Sequence, residues 1–261
     1  MSFVAGIFLV WRHAFGQALR GRRGLALAAL AALPVLLAFL QVRSGHDVRL
    51  SQFMGTVVIG TYQLVVPFTA LFLGVAVLGD EIEGRTITYL FTRPLPRQGY
   101  FLGRYLGYAS AAVLLLSASL LGTCLLFGTR IELTGGEVAG TLAIAAGGLL
   151  TTMAFMAALR AFFERALFAG FLLGFIFEGM VSKMPASSGL SQISIWHHLV
   201  LLQIRLMGGR PFHLDEGTPG ISADETVRGS LIALAAVLAV CLLLGMWRVR
   251  AKEIRIPAAV G

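Results

Sequence analysis

Charged residues are scarce in this sequence. They make up 13% of its 261 residues, whereas hydrophobic residues make up 57%, and soluble proteins carry about 25% charged residues. Several apolar runs reach the length of about 20 residues that a helix needs to cross a bilayer. No segment shows the alternating pattern of a membrane β-barrel, the other backbone solution that a bilayer permits. The composition therefore excludes a soluble protein and predicts an all-α polytopic membrane protein.

Lysine and cysteine are equally rare. Neither of the two lysines, Lys183 and Lys252, follows a glycine, so the phosphate-binding pattern G-x-x-x-x-G-K-[ST] cannot be drawn. Cys124 and Cys241 each lie within an apolar run, which argues against a disulfide framework, and the spacing of metal-binding cysteines is missing. We therefore expect no catalytic residue, no cofactor and no metal in this chain.

Two adjacent histidines are the remaining candidates for a metal site. On a helix, neighbouring residues such as His197 and His198 point about 100° apart. No nearby carboxylate completes a set of ligands with them. We interpret them as polar residues at a membrane interface, beside Trp196.

The apolar runs predict six membrane-spanning helices. An amphipathic interfacial helix over residues 3–20 precedes the first span, because Trp11, Phe15 and Leu19 recur along one helix face. Between the fifth and sixth spans lies a long segment, 182–229. Within it, Ile193–Met207 is apolar but too short to cross, which predicts a short re-entrant or interfacial helix. The predicted spans are 24–42, 54–78, 106–127, 138–159, 166–181 and 230–247.

The basic residues predict the orientation of these spans. Of the 21 lysines and arginines, fourteen fall at the two termini and in alternate loops, and seven fall on the opposite side. Loops rich in lysine and arginine stay in the cytoplasm. We therefore expect both termini and the loop 80–104 inside, and 182–229 outside. The net charge of +8 then reflects membrane orientation, and we expect no nucleic acid partner.

The loop 80–104 is a charged and turn-rich stretch between two spans. Asp80 and Glu83 have the spacing of a helix N-cap and its reciprocal partner. Arg93 precedes Pro94, which disfavours helical backbone angles there, so a short helix that begins at Asp80 should end near Thr92. Pro96 suits the first turn of the next helix. The sequence therefore predicts a short helix, a turn and the start of a second helix.

This loop resembles the cytoplasmic loop of ABC-2 type transporter permeases. In that family the loop forms a coupling helix that docks on an ATP-binding subunit. Two positions depart from the usual pattern, Pro96 and Arg104, where a small polar residue and lysine are commoner. The residues that carry the resemblance are Glu81, Gly84, Thr86, Leu90, Pro94, Arg97 and Arg104.

The resemblance implies a set of coupling residues and partners. The ATP-binding subunit, which holds ATP and magnesium, would be a separate chain. A second permease chain, identical or similar, would complete the transporter in a bacterial cytoplasmic membrane, and the family mostly exports its substrates. The residues implied to contact the ATP-binding subunit are Asp80, Glu81, Glu83, Gly84, Arg85, Thr86, Leu90, Pro94 and Arg97.

Two other functions remain open from the sequence alone. One is a membrane scaffold or sensor that has the permease fold and moves no substrate. The other is an ion-coupled secondary transporter, which the scarcity of charge within the spans disfavours. Glu178 is the one carboxylate inside a predicted span, and it is either a possible polar site for transport or a hydrated residue at the outer membrane edge.

Three pairs of glycines have the spacing that permits close helix approach, namely Gly103 with Gly107, Gly136 with Gly140, and Gly170 with Gly174. With 31 glycines in the chain, some such pairs are expected by chance. We assign none of them to a dimer interface.

The orientation can be tested with single cysteines at Gly99 and Gly217, in a background that lacks Cys124 and Cys241. Because the basic residues place 80–104 inside and 182–229 outside, only the cysteine at position 217 should react with an impermeant thiol reagent in intact cells. External labelling at position 99 would reverse the predicted topology.

Overall fold

Long helices account for most of the described chain. The computed structural model describes residues 3–44, 48–83, 96–181, 190–208 and 226–251, and within these ranges it contains no strand. The α-helices are α1 (Phe3–Leu19), α2 (Gly21–Arg43), α3 (Leu50–Gly55), α4 (Val66–Glu83), α5 (Arg97–Gly128), α6 (Gly135–Phe162), α7 (Ala166–Phe171), α8 (Glu178–Val181), α9 (Ile195–Leu206) and α10 (Val227–Ala251).

Two π-helical segments and a short 3₁₀ turn interrupt this pattern. The first π-helical segment, Thr56–Val65, joins α3 to α4, and the second, Leu172–Phe177, joins α7 to α8. The 3₁₀ turn, Leu190–Ile193, precedes α9. In a π-helix the backbone bonds run from i to i+5, and such segments are frequent at functional sites.

Five described helices are long and apolar enough to cross a membrane. They span Gly21–Arg43, Leu50–Asp80, Arg97–Gly128, Gly135–Phe162 and Val227–Ala251. Each contains one of the predicted spans. The helical stretch Ala166–Val181 is also apolar, but it is shorter than these five, with a length between 10 and 17 residues. The fold class is thus all-helical and polytopic, and a sixth crossing stays a prediction.

One predicted helix boundary is wrong. The sequence predicted that Asp80 caps the start of a new helix, but α4 continues from Val66 to Glu83. Asp80 therefore lies within a helix, since no proline interrupts the turn and its carboxylate hydrogen-bonds to other helices. The next helix begins at Arg97 after Pro96, which has extended backbone angles (φ −62°, ψ 138°). Residues 84–95 lie outside the described ranges.

The helices α5 and α6 form the centre of the bundle. Helix α5 packs against α1, α2, α4, α6 and α10, and α6 also packs against α4, α9 and α10. The Tyr105 hydroxyl on α5 donates to the Leu150 carbonyl on α6 at 2.8 Å. The helices α2 and α10 are peripheral, since only 22% of the most apolar stretch of each helix is buried. Their exposed leucines are consistent with surfaces that face lipid.

Helix α1 packs against α5 at one of the glycine pairs, Gly103 and Gly107. A Cβ atom at Gly107 would lie 2.6 Å from the Trp11 carbonyl oxygen and 2.6 Å from the Ala14 Cβ, and a Cβ at Gly103 would lie 3.0 Å from the Ile7 carbonyl oxygen. The Trp11 indole also donates to the Ser110 hydroxyl at 3.1 Å. The pair thus permits close packing within the chain, as small residues do between membrane helices.

Helix α9 is buried within the bundle rather than placed on its surface. Its Gln203 side chain is 0% exposed. The Gln203 amide accepts a hydrogen bond from the Tyr62 hydroxyl at 2.7 Å and donates to the Thr141 hydroxyl at 3.0 Å. These bonds tie α9 to the first π-helical segment and to α6. The choice between a re-entrant and an interfacial helix depends on the position of the bilayer and stays a prediction.

The interpretation of the two histidines is wrong for His197. This side chain is 0% exposed, because α9 packs against α6 and α10. The imidazole of His198 lies 3.1 Å from the Ser230 hydroxyl and 2.9 Å from the Gln192 carbonyl. Among the residues that the structure describes, no group of three or more histidine, cysteine or acidic side chains is placed to hold a metal ion.

Gly107→Ala should destabilise the protein, because the new methyl group would overlap the backbone of α1. Overpacking of this kind costs about 1 to 3 kcal/mol. Gly147→Ala on α6 is the matched control, since a Cβ there meets nothing within 4 Å and alanine is the better helix former by about 1 kcal/mol. Thermal unfolding of the two variants in detergent measures the difference. If both variants melted at or above the wild-type melting temperature, the close packing of α1 on α5 would be contradicted.

Candidate functional site

The Asp80 carboxylate lies at the end of the described part of α4, just before residues 84–95. Its side chain is 12% exposed and contacts basic residues from two other helices. The exposed Arg23 guanidinium on α2 pairs with one carboxylate oxygen. The other oxygen lies 3.4 Å from Nη2 of Arg104 and accepts a hydrogen bond of 2.7 Å from the Tyr108 hydroxyl. Asp80 thus connects α2, α4 and α5.

The Arg104 guanidinium is the most buried member of this cluster, with 1% exposure. Its Nη2 donates to the Ala76 carbonyl at 3.1 Å and to the Tyr108 hydroxyl at 2.8 Å, and its Nη1 donates to the Tyr100 hydroxyl at 3.2 Å. The guanidinium carbon also lies 5.9 Å and 5.1 Å from the centroids of the Tyr100 and Tyr108 rings. A buried cation is tolerated only when charge and hydrogen bonds compensate it, as they do here.

Helix α1 joins the cluster through Gln17. The Tyr108 hydroxyl lies 3.1 Å from Oε1 of Gln17 and 2.7 Å from the Asp80 carboxylate. A phenol has one proton, so it donates to one of these acceptors at a time. Four helices therefore meet at a single set of polar side chains. We call this set the Asp80 cluster: Gln17, Arg23, Asp80, Tyr100, Arg104 and Tyr108.

The structure describes only part of the predicted coupling site. Asp80 lies in the cluster, and Arg97 is half-buried in the first turn of α5. Glu81 and Glu83 belong to α4, but their side chains lie outside the described set. Five further predicted coupling residues fall in the undescribed range 84–95, namely Gly84, Arg85, Thr86, Leu90 and Pro94.

Sequence reasoning missed the partners of Asp80. It treated Arg104 as one of the residues that carry the family resemblance and did not select Gln17, Arg23 or Tyr108. One signal was present, because Tyr100, Arg104 and Tyr108 follow each other at intervals of four residues and so share one helix face. Arg23 and Gln17 gave no such signal, since their distance from Asp80 depends on how α1 and α2 pack.

Glu178 lies in a second polar group, at the start of α9. One carboxylate oxygen accepts hydrogen bonds from the Ser194 hydroxyl at 2.8 Å and from the Trp196 backbone N–H at 2.6 Å. Ser194 in turn caps α9, since its hydroxyl accepts from the His197 N–H at 3.2 Å. The first backbone N–H groups of a helix lack partners within the helix and favour negative charge. Glu178 therefore positions α9.

The Asp80 cluster predicts unequal roles for its two arginine partners. Asp80→Ala should cost about 3 to 5 kcal/mol of folding free energy, because it leaves the buried Arg104 uncompensated. Arg23→Ala should cost about 0 to 1 kcal/mol, because its side chain is largely exposed. Equilibrium unfolding in mixed micelles measures both variants.

A double variant provides the control for this prediction. Asp80→Ala with Arg104→Met removes both charges, so it should be less destabilised than the sum of the two single variants. Additive losses, or an Arg23→Ala effect as large as that of Asp80→Ala, would contradict a buried pair between Asp80 and Arg104.

Comparison with known proteins assigns the chain to a family. The family described as ABC-2 family transporter protein matches residues 22–182, which is more than half of the chain. The matched range runs from α2 to the end of α8 and includes Arg23, Asp80, Arg104 and Tyr108. No curated protein matches the chain. The sequence, the helical bundle and the family match agree, and the chain belongs to the ABC-2 transporter family of membrane proteins.

Proposed function

We propose that this chain is the permease subunit of an ATP-driven exporter, coupled through residues 80–104 to a separate ATP-binding subunit. The observation that carries the proposal is the Asp80 cluster, which lies beside this loop and joins four helices. The family match supports a permease. The coupling, the direction of transport and the partner chains are the proposed parts.

The cluster gives the loop a mechanical connection to the bundle. Residues 84–95 are bounded by α4 and α5, and Asp80 and Arg104 pair these two helices at 3.4 Å. Arg23 extends the connection to α2 and Gln17 extends it to α1. Packed elements move as bodies because close-packed interiors do not deform continuously. A displacement of the loop by a partner would therefore be passed to α1, α2, α4 and α5 together.

In this proposal the energy for transport comes from ATP that binds to another chain. The sequence contains no Walker-type pattern, since neither Lys183 nor Lys252 follows a glycine. ATP and magnesium would bind to the partner subunit, and closure of two such subunits would move the loop. This chain supplies only half of the helices of such a transporter, so a second permease chain, identical or similar, would complete it.

The proposed setting is the cytoplasmic membrane of a bacterium with both termini inside. The excess of basic residues on the side of the loop 80–104 supports this orientation. Export is proposed because the family that this loop resembles mostly exports its substrates. The ATP-binding subunit would then approach the loop from the cytoplasm.

Glu81→Ala tests the coupling. If the Glu81 carboxylate pairs with the ATP-binding subunit in a desolvated interface, truncation should weaken assembly by about 2 to 5 kcal/mol. Glu132→Ala is the matched control, because Glu132 is an exposed carboxylate in the loop between α5 and α6 that should lie on the opposite side. The measurement is the amount of ATP-binding subunit that co-purifies with the tagged chain, together with its ATP hydrolysis in vesicles.

Gly84→Pro tests the same loop through its backbone. Proline in a helix interior costs about 3 kcal/mol, so a coupling helix at this position would be disrupted and hydrolysis would no longer depend on the permease. Wild-type assembly and hydrolysis in both loop variants, at wild-type expression, would show that 80–104 is an ordinary connection and would refute the proposed coupling.

A further inference from the structure

A cavity of about 1010 Å³ lies between the helices, apart from the Asp80 cluster. Its walls come from the first π-helical segment and α4, from α6, from the helical stretch 166–181, from α9 and from α10. Binding pockets for small molecules measure about 300 to 1,000 Å³. The cavity is therefore large enough for a ligand with a long apolar part.

Both π-helical segments line this cavity. Their wider backbone turns are uncommon and are frequent at functional sites. Beside this cavity, the ring of Phe68 on α4 contacts the ring of Phe175 in the second π-helical segment, with ring centroids 4.4 Å apart and ring planes tilted by 53°. The lining residues from the two π-helical segments are Tyr62, Gln63, Leu173, Gly174, Phe175 and Ile176.

Most of the lining is apolar, with a small number of polar side chains. Val66, Phe155 and Leu199 are typical of the apolar walls. Gln63 is an exposed amide within a candidate span, and no described residue hydrogen-bonds to it. An amide in that position supplies two donors and one acceptor to a ligand. Apolar walls with a few polar groups are the usual composition of a ligand site.

The charged residues that line the cavity are of one sign. Among the described residues that line the cavity, Glu178 is acidic and none is basic. Glu178 accepts hydrogen bonds from the Ser194 hydroxyl and from backbone N–H groups at the start of α9, and the described ion pairs do not include it. A helix N-terminus carries roughly half a positive charge, which offsets only part of a carboxylate. The lining therefore favours a cationic ligand and disfavours an anionic one.

Several residues that line the cavity have exposed side chains. Ile176 is 47% exposed, Met180 is 63% exposed, and Val240 on α10 is 53% exposed. The cavity is thus accessible from the side, between the helical stretch 166–181 and α10. Because α10 is one of the candidate membrane spans, a ligand with an apolar chain could enter beside it from the bilayer without crossing water.

From these observations we infer that the cavity binds a cationic amphiphile from the bilayer, with its apolar part between the π-helical segments and its positive group near Glu178. Gln63 supplies a hydrogen-bonding contact to the same ligand. This molecule is also the class of substrate that the permease would move. That second statement rests on the proposed function, whereas binding does not.

The experiment uses the full chain in lipid nanodiscs with Trp11→Phe and Trp247→Phe, so that fluorescence reports Trp196 at the cavity wall. The probes share one dibrominated dodecyl chain and end in trimethylammonium, hydroxyl or sulfonate. We expect saturable quenching by the ammonium probe, with an affinity about tenfold higher than that of the sulfonate, equivalent to 1.4 kcal/mol. Quenching that rises linearly and equally for the three probes would show partition into lipid only and would overturn the proposal.

Two substitutions locate the binding. Ala236→Phe fills the cavity from α10 and should weaken the ammonium probe at least about tenfold, since a packed ring excludes the ligand chain. Ala239→Phe is the matched control, because Ala239 is an exposed alanine on the same helix that does not line the cavity. Equal effects of the two substitutions would overturn the location.

Glu178→Gln tests the charge. Glutamine keeps an oxygen that accepts from Ser194 and Trp196 but carries no charge, so the preference of the ammonium probe over the sulfonate probe should fall to about one. An unchanged preference would overturn the role of Glu178. Helical circular dichroism and a monodisperse elution profile check that each variant is folded.

A separate measurement distinguishes the substrate assignment from the binding site. The ammonium probe should stimulate ATP hydrolysis by the assembled complex in vesicles, and Ala236→Phe should remove the stimulation. Saturable binding without stimulation would support the cavity and overturn the assignment of its ligand as the substrate. If the Glu81 variant loses coupling but Trp196 is still quenched by the ammonium probe, the defect lies in the loop and the ligand site in the cavity remains supported.

Discussion

The burial of the Arg104 guanidinium is the constraint on which the end of the bundle beside residues 84–95 depends. A cation with 1% exposure is costly unless opposite charge and hydrogen bonds surround it. Asp80, Tyr108, Tyr100 and the Ala76 carbonyl provide these contacts. Since they come from two helices, α4 and α5 must keep their relative positions for the charge to remain compensated. The helix ends that flank residues 84–95 are therefore held together.

A second polar group fixes the position of α9. Glu178 and Ser194 satisfy the first N–H groups of α9, and Gln203 binds the Tyr62 and Thr141 hydroxyls near the other end of the helix. A short helix buried among apolar spans has no water to satisfy these groups, so the protein must provide every partner. One polar group thus lies next to residues 84–95, and the other lies at the cavity.

Packing density differs between the regions that these groups define. Glycines permit the closest contacts, as at Gly107 beneath α1 and at Gly74, where a Cβ would lie 2.7 Å from the Met156 Cβ. The cavity, by contrast, lies where two π-helical segments replace regular helix. Tight packing transmits displacement, whereas open space accepts a ligand. A transporter needs both properties, and this chain separates them.

The sequence by itself determined the class of protein, the approximate bounds of five spans and the helix that starts at Arg97, because hydropathy and proline act locally along the chain. It misplaced Asp80 at a helix start and His197 at a surface. The tertiary structure alone decided that Asp80 meets Arg23 and Arg104, that Glu178 binds the start of α9, and that a cavity lies between the π-helical segments. These features depend on which helices cross and at what depth, and such distances are not encoded by any local pattern of residues.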